Sequence, residues 1–222
     1  MNIKSATFVR GITKEEDMLT DGIPQILFIG RSNVGKSSVI NAFTRIKGLA
    51  ISSATPGRTR QVNIFLVNKQ FYLVDLPGYG FARGSENDRM KIRDLISWYI
   101  FEEYQEMRRV IVIIDIVVGL TDSDLHIIEL LEEDKAEFII IANKSDKLKA
   151  NDLKNNLDKV KKQVGAHKVI VFSAKKGTGL VELTSEALNG LKKISNENLI
   201  VPLEMNRYPD KVEEEEVTEV KV

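Results

Sequence analysis

Residues 30 to 37 read Gly30-Arg31-Ser32-Asn33-Val34-Gly35-Lys36-Ser37, the pattern G-x-x-x-x-G-K-[ST]. Few short strings constrain a fold as tightly. The glycines allow a turn whose backbone N–H groups point inward. A strand must deliver the chain to that turn and a helix must carry it away, because the helix N-terminus contributes further inward N–H groups. The flanks comply: residues 25–29 are a short apolar run, and a helix can begin near Lys36. The string predicts a strand–loop–helix unit that cradles phosphate oxygens. Lys36 is placed to reach the β- and γ-phosphates, and Ser37 to offer a hydroxyl to Mg²⁺.

The remaining chain extends this unit. Residues 62–67 and 71–74 read as two strands joined by a turn at Asn68-Lys69-Gln70, a hairpin. Within 85–105, Ile92, Leu95, Ile96 and Tyr99 recur at helical spacing. Residues 110–114 and 138–142 are continuous apolar runs, the pattern of strands buried on both faces. Helices are expected over 124–133 and along the stripes Leu153, Leu157, Val160, Val164 and Leu180, Leu183, Ala187, Leu191, with a strand at 168–172. Strands alternating with helices imply an α/β fold of three layers. Its sheet is mostly parallel, with one antiparallel edge hairpin and helices on both faces. Ligands of such folds sit at the carboxyl ends of the strands.

The phosphate loop is followed by Asp75-Leu76-Pro77-Gly78, placed at the end of the second hairpin strand. A carboxylate there suits Mg²⁺ through a coordinated water, and the Gly78 N–H can meet a γ-phosphate. Asn143-Lys144-Ser145-Asp146 follows the run 138–142. Guanine presents N1–H and the 2-amino group side by side, and one carboxylate, Asp146, can accept both. Adenine has no such donor pair, so the motif discriminates between bases. Asn143 is placed to hold guanine N7, and the Lys144 stem to cover the base. A backbone N–H in Ser173-Ala174-Lys175, after the last strand, can meet guanine O6. Thr55-Pro56-Gly57-Arg58-Thr59-Arg60 precedes the hairpin. A hydroxyl here, Thr59 in preference to Thr55, completes the Mg²⁺ shell when γ-phosphate is present. The ligands expected are GTP or GDP with Mg²⁺. The Asp146 carboxylate argues against an ATPase.

Composition bounds the alternatives. The 222 residues contain no cysteine, which removes disulfides and thiolate metal sites. No apolar stretch approaches the ~18 residues of a membrane span, and the charged N-terminus does not read as a signal peptide. A cytoplasmic protein with no membrane partner is expected. Net charge is zero overall, but residues 203–222 carry seven acidic and three basic side chains. The preceding body is mildly basic, which permits RNA contact without demanding it. The chain divides into an N-terminal segment (1–22), a GTPase domain (23–195) and an acidic tail (196–222), with no second globular domain.

The strings GRSNVGKSS, TPGRTR and DLPGYG resemble the EngB family (also called YsxC or YihA), within the translation-factor class of P-loop GTPases. The resemblance runs from about Ile23 to Leu191. It implies nucleotide contacts at Gly30 through Ser38, at Gly57, Arg58, Thr59, Arg60 and Gln61, at Asp75, Leu76, Pro77 and Gly78, at Asn143, Lys144 and Asp146, and at Phe172, Ser173 and Ala174. It implies Mg²⁺ contacts at Ser37 and Thr59. It also implies a role in assembling the large ribosomal subunit, with effects on growth, septation and cell division, a ribosomal precursor of RNA and protein as partner, and no DNA. Many members have Thr where Asn143 stands, and an Arg near Val117, which this chain lacks.

For hydrolysis, the residues expected to act are Lys36, Asn33, Thr59 and Gly78. In many GTPases a Gln after D-x-x-G positions the attacking water; here Tyr79 stands in that place. Slow intrinsic turnover follows, in a monomeric switch. Asn33 suggests K⁺ as a supplementary cation, and a nucleotide-gated scaffold with negligible hydrolysis is the alternative. Arg31, Arg58, Arg60, Arg83, Arg89 and Arg93 flank the nucleotide mouth as a basic rim. His126 and His167 read as surface residues, and Trp98 and Tyr99 as core or partial core.

Overall fold

In chain order the elements are β1 (Ala6–Ile12), β2 (Gln25–Gly30), α1 (Lys36–Thr44), β3 (Val62–Val67), β4 (Phe71–Asp75), α2 (Glu86–Phe101), β5 (Arg108–Asp115), α3 (Asp122–Glu133), β6 (Phe138–Asn143), a 3₁₀ turn at Ser145–Lys147, α4 (Ala150–Val164), β7 (Val169–Val171) and α5 (Leu180–Glu197). They belong to a computed structural model that describes residues 3–13, 21–51, 61–80, 85–101 and 108–197. The loop carrying Thr55, Gly57, Arg58, Thr59 and Arg60, together with Arg83 and the acidic tail from residue 198 onward, lies outside the described residues, whereas residues 196 and 197 of that segment continue α5.

The seven strands form one sheet in the order β1-β3-β4-β2-β5-β6-β7. From β4 to β7 neighbouring strands are parallel, and β1–β3 and β3–β4 are antiparallel. All of β2 and β6 and nearly all of β5 are buried, which explains why these segments read as continuous apolar runs rather than alternating ones. Alternate residues go to opposite faces. Leu27, Ile29, Val110, Val112 and Ile114 pack with α2, α3 and α4. Ile26, Phe28, Ile111 and Ile113 pack with α1 and α5. These two apolar layers hold the carboxyl ends of β2, β4, β5 and β6 in one rigid row.

The hairpin closes as its sequence predicts. Asn68 and Lys69 both adopt positive φ, 51° and 57°, and Gln70 N donates to Val67 O at 2.9 Å. This is the turn geometry whose twist matches the flanking strands. Its edge is not free, however. β1, inside the segment 1–22, pairs along β3, and the Asn68 side chain accepts from Lys4 N at 2.7 Å and Ser5 N at 3.1 Å. A register shift between Phe8 and Arg10 breaks the alternation of β1. Phe8 is left half exposed while Val9 packs against the core. A bulge of this kind erases the period-2 signal by which a strand is read from sequence.

Candidate nucleotide-binding site

β2 ends at Gly30 and α1 begins at Lys36, so the phosphate loop lies where the opening string requires it. Its two glycines serve different needs. At Gly30 a side chain has no room: a Cβ would lie 2.6 Å from the Ile113 carbonyl oxygen on β5. At Gly35 the backbone is left-handed (φ 92°), and a Cβ would lie 2.6 Å from Asn143 Nδ2. Only glycine adopts that conformation without strain while letting Asn143 approach this closely.

The motif expected to read the base is tied to this loop. Asn143 ends β6, next to Asp115 at the end of β5. Its Nδ2 donates to Val34 O at 2.9 Å, and its Oδ1 accepts from Ala174 N at 3.4 Å. Asn143 is 2% exposed. It therefore bolts the phosphate loop to both base loops, and the second Nδ2 hydrogen stays available for a base nitrogen. Lys144 lies across the loop: its Nζ donates to Asn33 O at 2.6 Å and pairs with Asp115 Oδ2 at 2.7 Å. Asp115, a residue outside the predicted motifs, thus fixes the stem expected to cover the base.

Asp146 accepts from Ser173 Oγ at 2.6 Å. That bond, the largest influence, holds the Asp146 carboxyl below the usual carboxylate range, with Lys175 and Lys176 adding smaller effects in the same direction. The group stays ionised and acceptor-only, as guanine recognition requires. Ser145 N donates to Phe172 O at 3.1 Å, which clamps the two base loops together.

At the phosphate end, Lys36 forms a direct ion pair with Asp75, and both side chains are largely buried. Asp75 sits beside Phe28 in the parallel β2–β4 ladder, so its carboxylate arrives at the foot of the loop. The pair brings the ammonium expected to reach phosphate and the carboxylate expected on the metal side to one point. Among the described residues no cluster of three or more His, Asp or Glu could cage a metal by itself. A cation held near Ser37 and Asp75 would take most of its ligands from phosphate and water, the usual habit of Mg²⁺. Thr59 lies outside the described residues, while Gln61 lies just before β3 and bonds Asn63 Oδ1 at 2.8 Å.

Tyr79 packs inward. Its ring is buried, and its hydroxyl donates to Asp124 Oδ1 at 2.8 Å. Arg31 binds the same carboxylate through Nε at 3.0 Å, so its side chain leaves the expected basic rim for a part-buried ion pair. Arg89 and Arg93 remain exposed and line a cavity of about 410 Å³ beside Gly78, Tyr79 and Gly80. Asp124 belonged to no predicted motif. Its one trace in the sequence is the Thr121-x-x-Asp124 spacing of a helix start.

The lesser expectations resolve simply. His126 is exposed. His167 is part-exposed, stacks on Phe138 and bonds Glu132 at 2.7 Å. Tyr99 is core, with its hydroxyl on Gln25 at 2.9 Å, and Trp98 is partly buried beside it. Val117, near which the resemblance implies an arginine, is exposed, as is Val118.

Comparison with known proteins finds GTP-binding relatives. A family profile described as "50S ribosome-binding GTPase" matches residues 25–144. A probable GTP-binding protein EngB of Clostridium perfringens is 38% identical over 194 residues, covering 86% of this chain and 98% of that protein. Its counterpart in Bacteroides thetaiotaomicron is 41% identical over 202 residues, covering 89% and 98%. A crystal structure of a probable GTP-binding protein engB aligns with TM-score 0.64 at 24% identity, over 76% of this chain and 99% of that one, which supports the fold.

Proposed function

The chain belongs to the EngB family of GTP-binding proteins, and from that premise we propose that its GTPase switch serves assembly of the large ribosomal subunit, with consequences for growth and cell division. GTP binding and hydrolysis are the family's common ground. The observation that carries the reading is the Asn143–Val34 hydrogen bond, which joins phosphate-reading and guanine-reading loops into one rigid site. Such a site binds the whole nucleotide as a unit, so loss of one phosphate is felt throughout.

In this reading Lys36 neutralises charge on the β- and γ-phosphates, and Gly78 N–H senses the γ-phosphate. Ser37 and Thr59 would hold Mg²⁺ directly and Asp75 through water; bound Mg²⁺ withdraws negative charge from the phosphate oxygens. The remaining assigned contacts are the loop and Ser38 on the phosphates, residues 57–61 over the γ-phosphate, and Phe172, Ser173 and Ala174 around the base. Tyr79 is spent on Asp124 and does not position water in the way a glutamine at that place would, so intrinsic turnover is slow. K⁺ beside Asn33 would supply extra positive charge. Family membership favours hydrolysis over a scaffold that only binds. The GTPase domain is assigned to 23–195, with β1 added to its sheet edge from the N-terminal segment.

The partner surface is assigned to the cavity rim of Arg89 and Arg93, next to the γ-phosphate-sensing Gly78. Among the described residues no helix is long and apolar enough to cross a membrane. In the proposed reading the protein is a monomer working in the cytoplasm. Co-sedimentation with ribosomal particles tests the proposal: binding in a non-hydrolysable GTP analogue and release in GDP are expected. Binding indifferent to the nucleotide would sink it.

A further inference from the structure

Asp124 is wholly buried on the first turn of α3, outside the nucleotide motifs. Four donor groups from three separate segments converge on it. Thr121 supplies its backbone N at 2.9 Å and its hydroxyl at 2.8 Å, both to Oδ2. Arg31 Nε lies 3.0 Å from Oδ2 and 3.2 Å from Oδ1. Tyr79 Oη lies 2.8 Å from Oδ1. Capping α3 needs only the Thr121 contacts. The other two reach 93 and 45 residues away in sequence, to the phosphate loop and to the segment after Gly78.

The backbone around Gly78 shows what these two contacts accomplish. Leu76 N donates to Phe28 O at 3.1 Å, and Ser32 N donates to Tyr79 O at 3.1 Å. Gly78 is thereby laid against Ser32, so close that a Cβ would fall 3.0 Å from Ser32 Oγ. On its inner side this segment is anchored by the β2–β4 ladder. On its outer side the anchors are the Ser32–Tyr79 bond and the Tyr79 phenol on Asp124. The continuous β2–β4 ladder ends at Asp75, and Arg31 and Tyr79 add one isolated bridge beyond it.

We propose that Asp124 is a positioning residue for the GTPase reaction: by joining Tyr79 to Arg31 it fixes the Gly78 N–H where the γ-phosphate of GTP must be met. The proposal rests on the GTPase reading above. A preset donor spares GTP the cost of ordering the segment on binding. GDP has no γ-phosphate and gains nothing from the preset. Burial first, then the Asp124 charge, push the Tyr79 phenol far above its ordinary pKa, so it remains a donor throughout the physiological range.

The test uses the full chain with Asp124→Asn, Tyr79→Phe and the double variant. Affinities for GDP and a non-hydrolysable GTP analogue are measured with single-turnover hydrolysis and thermal unfolding. Each single variant is expected to weaken the analogue about 5- to 20-fold while GDP changes about twofold or less. Single-turnover hydrolysis should fall in parallel. Asp124→Asn removes the Arg31 ion pair and one acceptor oxygen, Tyr79→Phe removes the phenol donor, and because both act at one node the losses should be less than additive in the double variant. Equal losses for GDP and analogue, or a loss confined to thermal stability, would reduce Asp124 to a helix cap and overturn the proposal. If Asp124→Asn does not fold, Tyr79→Phe decides alone, because it keeps the buried ring; unchanged analogue affinity and rate in that variant reject the idea. Failure of the unmodified protein to bind either nucleotide would instead reject the GTPase reading.

Discussion

The hydroxyl of Tyr79 donates to Asp124 Oδ1 across 2.8 Å, and this bond spends the polar atom of the side chain that stands where many GTPases keep a water-positioning glutamine. Restoring that glutamine is therefore not a gain. Tyr79→Gln puts an amide into an apolar slot and cuts the tie to Asp124. Unfolding should become easier by about 2–4 kcal/mol. Single-turnover hydrolysis should fall; a rate rising tenfold or more would show that the segment swings freely, against this geometry.

Gly35→Ala should abolish tight nucleotide binding. The substitution places a methyl group 2.6 Å from Asn143 Nδ2 at a φ of 92°. The strain alone costs about 1–3 kcal/mol, and relief requires breaking the Asn143–Val34 bond. A thermal shift assay with and without GDP reads both effects. A variant that GDP stabilises as well as it does the parent would contradict the role given to Asn143.

In the proposed site, base choice rests on Asp146. With Asp146→Asn, affinity for GDP should drop about 100-fold or more, and xanthosine diphosphate should become the better ligand. The reason is complementarity: an amide offers a donor where guanine also offers one, and xanthine offers an acceptor. If the variant still prefers guanine, the base is read elsewhere.

Acid should spare guanine selectivity longer than an ordinary carboxylate allows. The Asp146 pKa is lowered, chiefly by the Ser173 hydroxyl, from an ordinary value of 3.8. A depressed carboxylate stays ionised down to and below its unperturbed pKa, and its contribution is lost only as pH falls through the lowered value of the folded protein. The preference for GDP over IDP, which lacks the 2-amino group, should be flat from about pH 8 to pH 5 and decline only below about pH 4. Comparing the two nucleotides cancels titration of their phosphates. A decline centred near pH 6 would implicate a different group.

Asn33 offers a separate handle on rate. It adopts φ 69°, is exposed, and has its carbonyl held by Lys144. If it gathers K⁺ beside the phosphates, hydrolysis should be about tenfold or more faster in K⁺ than in Na⁺ at equal ionic strength. Asn33→Ala should erase the difference. Equal rates in the two salts reject a cation role.

Much of this protein was determined by sequence alone, because its strongest requirements are local. Gly30 through Ser37, Asp75 through Gly78 and Asn143 through Asp146 each encode a turn at a strand end, and the apolar runs of β2, β5 and β6 mark strands buried on both faces. Those rules act within a few residues, so they survive reading in one dimension. Tertiary structure decided the rest. β1 escaped notice because its bulge breaks the alternation by which strands are recognised. Arg31 and Tyr79 read as a rim charge and an odd substitution until folding set both on Asp124. Asn143 carries the structural bond to Val34 across 109 residues. A side chain's partner at such separations depends on how two helical layers pack the sheet, and no local periodicity carries that information.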